Sequence, residues 1–209
     1  MHFLKKMRYV PLLVIPLICL VEGGHVYLNT KASSNGGGSS PNDAYNNVVS
    51  VNTHAAFQAG DSILIARGCT CITKSPAIRG PFKGILAPKG SGNPSGRITI
   101  DAYDANNSST AMPVINGWGQ DSTAGIMLYD QQYWTIENME VKNVDTSYLN
   151  DTTPSWRWGI LVYSDTDSTL HNISITGNTV DCDGSIFLNS LKFFFKWLFT
   201  VFSITNKES

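Results

Sequence analysis

Apolar and polar residues alternate in the middle of the chain, and the same pattern occurs there twice. The segment GIMLYD begins at Gly125, and GILVYS begins at Gly159, 34 positions later. In the segments that follow, Trp134 corresponds to Ile173, 39 positions later. A repeat of this length is typical of stacked units that are too small to bury their apolar faces alone.

Each copy of the repeat is predicted to consist of short β-strands, because its apolar residues recur at every second position. Residues that tolerate tight bends separate the strands, and Asn138 corresponds to the Gly177-Asn178 pair at one such corner. We therefore predict an all-β fold, a right-handed parallel β-helix (solenoid), with an ordinary β-sandwich as the alternative. In the solenoid, equivalent side chains would form columns: Ile126 on Ile160, Leu128 on Val162, Ile136 on Ile175, and Val141 on Val180.

Earlier segments match the repeat less completely. They begin at Gly84, Arg97 and Pro113, so about three coils are predicted from residue 84 onward. Residues 44–59 place apolar side chains near a helical period. This segment is predicted to be a helix that caps the open N-terminal end of the solenoid and protects its edge.

Composition limits the function classes. The chain has 209 residues, of which 42% are hydrophobic and 15% charged, with a formal net charge of −1. This length allows one domain with a real core. The near-neutral balance gives no basic patch for nucleic acid, so we expect no nucleic-acid partner.

Residues 1–24 are predicted to be a secretory signal peptide. Three basic residues precede an apolar stretch, and small residues that suit cleavage follow it. An uncleaved membrane anchor is the alternative. Export would place the chain in the secreted, extracellular compartment, where Asn-x-Ser/Thr motifs accept glycans. The candidate glycosylation sites are Asn106, Asn107, Asn150 and Asn172.

Three cysteines remain in the predicted mature chain, since Cys19 lies in the signal peptide. Cys69 and Cys71 are poor partners for each other, so one of them could pair with Cys182 and leave one free thiol. Three cysteines with few histidines nearby do not predict a zinc site.

The repeat pattern stops near Ser185, and residues 185–209 form an aromatic-rich tail unlike the preceding units. We therefore divide the chain into the signal peptide, a β-helix domain at 25–184, and this aberrant tail. The tail has three interpretations: a capping helix, a membrane-associated segment, or translated non-coding sequence that leaves the solenoid incomplete. A membrane is an expected partner only if the tail is genuine.

Four stretches resemble the N-terminal coils of the pectate-lyase-like superfamily of secreted β-helix proteins. They are VYLNTKASSNGGGSSPNDA, FQAGDSILIARG, PKGSGNPSGRITIDAY and PVINGWG. The nearest likeness is to the branch with alginate lyases and chondroitinase-B-like enzymes. The resemblance covers roughly residues 25–184. It implies binding of an acidic polysaccharide and its cleavage by β-elimination, with glycoside hydrolysis as the second reaction type.

The alternation predicts aromatic side chains on the outer surface of the repeats. Met127 and Leu161 would stack outside the solenoid, and so would Tyr129 and Tyr163. Aromatic faces of this kind could hold sugar rings. The alternative is that the two tyrosines form a partly buried shelf beneath a loop. The candidate substrate-binding residues are Tyr129, Tyr163, Trp156 and Trp158.

Acidic residues recur near the ends of the two copies. Asp145 and Asp181 are expected to lie one above the other, with Asp183 beside them. Stacked carboxylates repel unless a cation intervenes, and calcium takes oxygen ligands. These residues are candidate calcium ligands, with solvated corner residues as the alternative.

Cleavage of a uronate by β-elimination needs a group that neutralises the carboxylate and a base that removes the neighbouring proton. Arg157 and Lys142 are the only basic residues in 125–183, so they are the candidate catalytic residues. Neither matches a catalytic motif of the resembled family. The remaining hypotheses are a non-catalytic carbohydrate-binding or surface solenoid, and an inactive product of mis-splicing. In each case we expect a monomer.

Overall fold

The structure, a computed structural model, describes part of the chain. The described residues are 23–105, 109–117, 122–143, 157–165, 170 and 172–182, together with the backbone of 187–189. The predicted signal peptide lies outside them except for its last two residues. Most of the predicted tail also lies outside, so both boundaries stay predictions.

The described strands wind as a coil through three sheets. Strand β1 (His25–Leu28) starts the first sheet, and a short helix, α1 (Val48–Thr53), precedes the first complete coil. That coil contains β2 (Ser62–Ala66), β3 (Thr70–Cys71), β4 (Ala77–Arg79) and β5 (Phe82–Leu86). The next contains β6 (Ile98–Tyr103), β7 (Val114–Asn116) and β8 (Thr123–Tyr129). The third coil contains β9 (Trp134–Glu137), β10 (Glu140–Asn143) and β11 (Arg157–Tyr163). The fourth contains β12 (Ile173–Thr176), β13 (Thr179–Cys182) and β14 (Phe187–Asn189).

Each strand pairs with its counterpart in the neighbouring coil. The spatial orders are β1-β2-β6-β9-β12, β3-β7-β10-β13 and β4-β5-β8-β11-β14. All pairings among the described strands are parallel except that of β4 with β5. This arrangement confirms the predicted all-β parallel β-helix.

The predicted columns are confirmed by the strand register. Ile126 pairs with Ile160 and Leu128 with Val162, while the first and second sheets contain the other predicted pairs. The prediction of about three coils from residue 84 was too short, because β1 and β2 are already in register. The long segment between them, which contains α1, obscures the repeat in the sequence.

The interior of the solenoid is apolar and fully enclosed. Its members include Ile63, Ile98, Ile126, Trp134, Ile136 and Ile160, each 0% exposed.

Two glycines interrupt the alternation of inward and outward residues in the third sheet. A Cβ atom on Gly125 would strike Val141, and one on Gly159 would strike Val180. The second and third sheets therefore approach each other too closely for any side chain there.

The corner between the first and second sheets is built from asparagine and glycine. Asn138 and Gly177 have φ of 58° and 64° in successive coils, so both backbones are left-handed. Asn178 then bonds to the coil beneath, because its Oδ1 accepts from the Met139 amide at 3.0 Å. Its Nδ2 donates to the Ile136 carbonyl at 2.8 Å. The equivalent corners predicted from the sequence therefore lie one above the other.

Helix α1 protects one end of the solenoid, as predicted, but it is shorter than residues 44–59. It begins after Asn47, whose side chain caps the Ser50 amide at 3.0 Å, and ends at Thr53. Asn52 is 4% exposed and reaches the free edge of β5. Its Nδ2 donates to the Ile85 carbonyl at 2.7 Å, and its Oδ1 accepts from the Ala87 amide at 2.8 Å. One side chain thus replaces a missing strand at this edge.

The described part of the predicted tail continues the third sheet. Leu161 pairs with Phe187, and Tyr163 pairs with Asn189, in parallel register. The sequence pattern did not indicate this strand. Within the described residues, no helix combines the length and hydropathy needed to cross a bilayer.

The cysteines are not cross-linked in the described structure. No disulfide joins Cys69 or Cys71 to Cys182, so the pairing considered from the sequence is not formed. Cys71 is 0% exposed and belongs to the core. Burial raises the pKa of its thiol, and proximity to Cys69 adds to this effect. Cys71 is therefore a packing residue in its neutral form.

Replacement of Gly159 by alanine should destabilise the solenoid. The added methyl group would collide with Val180 in the facing sheet. Overpacking of this kind costs roughly 1–3 kcal/mol in the free energy of unfolding. Urea unfolding followed by circular dichroism measures the loss. Gly24→Ala is the matched control, because the nearest atom to its new Cβ would be 3.4 Å away. Equal stability of the two variants would contradict the close approach of the sheets.

Replacement of Asn52 by alanine should destabilise the capped end. The substitution leaves the Ile85 carbonyl and the Ala87 amide buried without their partner. Each unsatisfied group costs about 1–3 kcal/mol. Thermal unfolding tests this, with Asn42→Ala as a control on the exposed N-terminal loop. A midpoint unchanged from the wild type would show that the cap is dispensable.

Candidate functional site

The turn of the hairpin formed by β4 and β5 covers part of the outer face of the third sheet. Met127 and Leu161 face away from the core, as predicted, yet both are 0% exposed. They belong to a second apolar cluster with Ala87, Ala124 and Trp158.

Phe82 of the hairpin separates Trp158 from solvent. Its ring packs edge-on against Trp158, with centroids 5.1 Å apart, and against Tyr163, with centroids 4.8 Å apart. Trp158 is only 7% exposed. Its ring therefore has a packing role and presents no free face to a sugar.

Tyr129 and Tyr163 lie at the end of the same sheet, where the hairpin turn at Gly80 packs against the Tyr129 ring and Phe82 packs against the Tyr163 ring. They are paired in register on β8 and β11, and their rings stack with centroids 5.9 Å apart and planes 18° apart. Both side chains are half-buried. We call this stacked pair the tyrosine platform. The strand register and the stacking confirm the prediction that the two tyrosines lie one above the other, with one ring from each coil.

Two carboxylates flank the tyrosine platform. Asp165 accepts a hydrogen bond from the Tyr129 hydroxyl. Asp130 accepts one from the Ser164 hydroxyl at 2.6 Å, and its backbone amide donates to the Tyr163 carbonyl at 2.9 Å. Both acids follow directly from the strand ends, because the chain turns there toward the first sheet.

The hydrogen bond with Asp165 raises the pKa of Tyr129 to about 12. Burial and the negative charges of Asp165 and Asp130 act in the same direction. A raised pKa keeps the phenol protonated at neutral and moderately alkaline pH. At neutral pH the Tyr129 hydroxyl is therefore protonated and donates its hydrogen bond to Asp165, so it is not a base, and its oxygen is left as an acceptor.

The candidate catalytic residues are not brought to this platform. Arg157 begins β11 and is only 6% exposed. Six residues separate it from Tyr163, which is about 20 Å along a strand. Lys142 lies on β10 in the second sheet, where its Nζ is 2.7 Å from Glu140 Oε1. The two basic residues therefore belong to different sheets.

Of the three candidate calcium ligands, the structure describes Asp181. It pairs in register with Lys142 of the neighbouring coil, and its stacking on Asp145 stays a prediction. Asp145, Asp183 and Trp156 lie outside the described residues, as do Asn106, Asn107 and Asn150. In the described part of the chain, no group of three or more metal-binding side chains is found.

A second pair of acids on the first sheet was not singled out from the sequence. Asp101 and Glu137 each follow the registered pair Ile100 and Ile136 on the outer face. Asp101 Oδ1 accepts from Asn138 Nδ2 at 2.7 Å. Burial raises the pKa of Glu137, and the charge of Asp101 raises it further. The 36-residue separation of the two acids concealed their proximity in the sequence.

Comparison with known proteins identifies a fold relative but no family. No protein-family model matches the chain, and no curated protein matches its sequence. Among solved structures, it is similar to the native GH136 lacto-N-biosidase from Eubacterium ramulus, with a TM-score of 0.59 and 21% identity. The match covers 78% of this chain and 28% of that one. The selenomethionine derivative of the same enzyme gives a TM-score of 0.58 and 20% identity, with the same coverage. At this identity the likeness shows the fold.

Asp165→Asn should lower the pKa of Tyr129. The neutral amide removes the charge that favours the protonated phenol, so the pKa should move from about 12 toward the ordinary tyrosine value of about 10. A spectrophotometric pH titration of phenolate formation measures it, with Tyr129→Phe to assign the group. Asp104→Asn, at a different surface, should leave this titration unchanged. A titration of Tyr129 that is the same in Asp165→Asn as in the wild type would contradict the hydrogen bond.

Proposed function

We propose that this chain is a secreted, polysaccharide-active β-helix protein, and that the tyrosine platform holds the sugar rings. One observation carries the proposal: two stacked tyrosines, one from each coil, lie beside two carboxylates at the end of the third sheet. The β-helix fold shared with a lacto-N-biosidase adds support, although the chain spans only 28% of that enzyme's length.

The platform supplies the two kinds of contact that glycans use. Tyrosine rings offer apolar faces to the C–H groups of a sugar ring. Asp130 and Asp165 offer carboxylate oxygens that can accept hydrogen bonds from its hydroxyls. Adjacent strands are spaced by about 4.8 Å, so successive coils present similar contacts in a regular row. A linear polysaccharide, with its own regular repeat, matches such a surface.

For the reaction, we propose descent from a polysaccharide lyase that acts on acidic glycans. The resemblance of the N-terminal coils to the pectate-lyase-like superfamily motivates this part. In that reaction Arg157 would neutralise the uronate carboxylate and Lys142 would remove the neighbouring proton. The separation of these two residues in the described structure favours binding over catalysis by this pair.

A non-catalytic carbohydrate-binding solenoid is the second candidate. It is favoured by the ion pair of Lys142 with Glu140 and by the burial of Arg157. The ion pair engages the Lys142 ammonium group with Glu140 of its own strand in the second sheet, whereas the tyrosine platform lies on the third sheet. The two candidates share the platform and differ only in whether a product is released.

Tyr129→Ala should weaken polysaccharide binding by roughly three- to tenfold, because one stacked aromatic contact contributes about 0.5–1.5 kcal/mol. Tyr129→Phe should keep most of the affinity, since it retains the ring. Affinity electrophoresis on immobilised pectin, alginate and chondroitin measures both variants. Tyr27→Ala is the matched control, because Tyr27 packs edge-on against Tyr103 on the first sheet, with centroids 5.3 Å apart.

Product formation separates the two candidates on the same panel of polysaccharides. A lyase releases unsaturated uronate ends that absorb in the ultraviolet, whereas a binding module releases none. Unchanged retention of Tyr129→Ala on every matrix that retains the wild type would refute the platform. Absence of wild-type retention on all glycans would refute the proposed function.

A further inference from the structure

A groove lies at the corner where the chain passes from the third sheet to the first. Its volume is ≈ 380 Å³, and its lining includes Asn93, Ser95, Arg97, Tyr133 and Asn172. We call it the corner groove. Tyr133 is four residues beyond Tyr129 of the tyrosine platform, so their Cα atoms are at most about 14 Å apart. The corner groove and the platform are therefore close enough to contact one extended ligand.

One wall of the corner groove is a tightly bonded loop. The amides of Asn93 and Gly96 each donate to the carbonyl of the other, at 2.9 and 3.0 Å. Asn93 Oδ1 also accepts from the Ser95 amide at 2.8 Å. The loop is tied to the next coil, because the Gly92 amide donates to the Gln132 carbonyl at 3.1 Å. The wall is thus formed before any ligand binds, which lowers the entropy cost of binding.

Arg97 projects a positive charge into the corner groove. Its Nη1 donates to the carbonyls of Trp134 at 3.2 Å and Asn172 at 2.9 Å, so the guanidinium is held across two successive coils. The side chain is exposed. Among the described residues, the ion pairs are those of Arg67 and Lys142, so no described carboxylate neutralises Arg97. Its remaining N–H groups are positioned for an anion, since guanidinium donors match a carboxylate.

Tyr133 forms the opposite side and is held in an unfavourable backbone conformation. Its φ is 59°, in the left-handed region that a bulky residue rarely adopts. Gly92 packs against it so closely that an added Cβ would lie 2.9 Å from Tyr133 Cβ. The Tyr133 carbonyl accepts from the Ile98 amide at 2.9 Å, which fixes the turn. Such strain is retained most often where a side chain must be placed for a ligand.

We infer that the corner groove binds a carboxylate-bearing sugar unit of the polysaccharide. Arg97 pairs with the carboxylate, and Tyr133 contacts the sugar ring. This inference deepens the proposed function and rests on it, because it assigns the acidic group of the glycan to one side chain. The ligand class follows from a single unpaired guanidinium beside an aromatic ring and amide groups, a combination that suits one planar negative charge on a sugar.

The candidate glycosylation site Asn172 lies on the rim of the corner groove, so a glycan there would compete with a ligand. The test therefore uses the full chain carrying Ser174→Ala, which removes the Asn-x-Ser motif but keeps Asn172. The Asn172 carbonyl that holds Arg97 is unchanged in this background. Every variant below is compared in this background.

The probe is trigalacturonate, and its fully methyl-esterified form is the neutral control. Isothermal titration calorimetry should show that the parent protein prefers the acid, and that salt reduces this preference. Arg97→Met should lower affinity for the acid by at least about tenfold, since a charge-assisted hydrogen bond contributes about 1.5–3 kcal/mol. Affinity for the ester should change by less than about twofold. Arg97→Lys should fall between, and Arg67→Met is the matched control.

The parent protein provides a second measurement if Arg97→Met folds poorly. The NMR signal of Arg97 Nε–H should shift on addition of trigalacturonate and not of the ester. Equal affinity of the parent protein for acid and ester, or an acid affinity unaffected by Arg97→Met, would overturn the inference. If Tyr129→Ala loses binding while Arg97→Met binds the acid as the parent protein does, the tyrosine platform is supported and the inference about the corner groove is refuted. The reverse result would support the corner groove and refute the platform.

Discussion

The in-register hydrogen bonding of each strand to its counterpart one coil away is the constraint on which the rest of this structure depends. It places Ile98 of β6 on Trp134, and Trp134 on Ile173, so the interior consists of continuous columns. Because side chains alternate across a strand, a slip of one residue would turn an entire column outward. The same register that closes the core also aligns Tyr129 with Tyr163 outside it. Core and candidate site are therefore consequences of one alignment.

Backbone strain is concentrated where the candidate sites lie. Among the described residues, five that are not glycine have positive φ, and three of them turn the chain from the third sheet to the first. These three are Asp130, Tyr133 and Asn172, with φ of 52°, 59° and 55°. The corner between the first and second sheets uses Asn138 and Gly177. Glycine, asparagine and aspartate adopt this region at lower cost, so the strain lies mainly at Tyr133. One corner is thus optimised for tight stacking, and the other tolerates strain while presenting polar and aromatic side chains.

Much of the architecture could be predicted from the sequence, because the period-two alternation records which residues face inward. The columns through Ile126 and Val141 were predicted correctly for this reason. The pattern does not record what covers an outward residue, so the burial of Trp158 under Phe82 was missed. The corner groove was missed because Arg97 and Asn172 are 75 positions apart. Only the coil geometry brings them together.

The glycine column of the third sheet restricts how such a chain can evolve. Gly125 and Gly159 both face a valine of the second sheet, so the pinch in the cross-section occurs in these two turns, whereas Ile85 occupies the equivalent position of β5. A gene duplication that adds a whole turn carries its own glycine and preserves the fit. An insertion of only part of a turn would bring a larger residue to the pinch, and it would be eliminated by selection for folding. A solenoid of this kind therefore lengthens by complete turns.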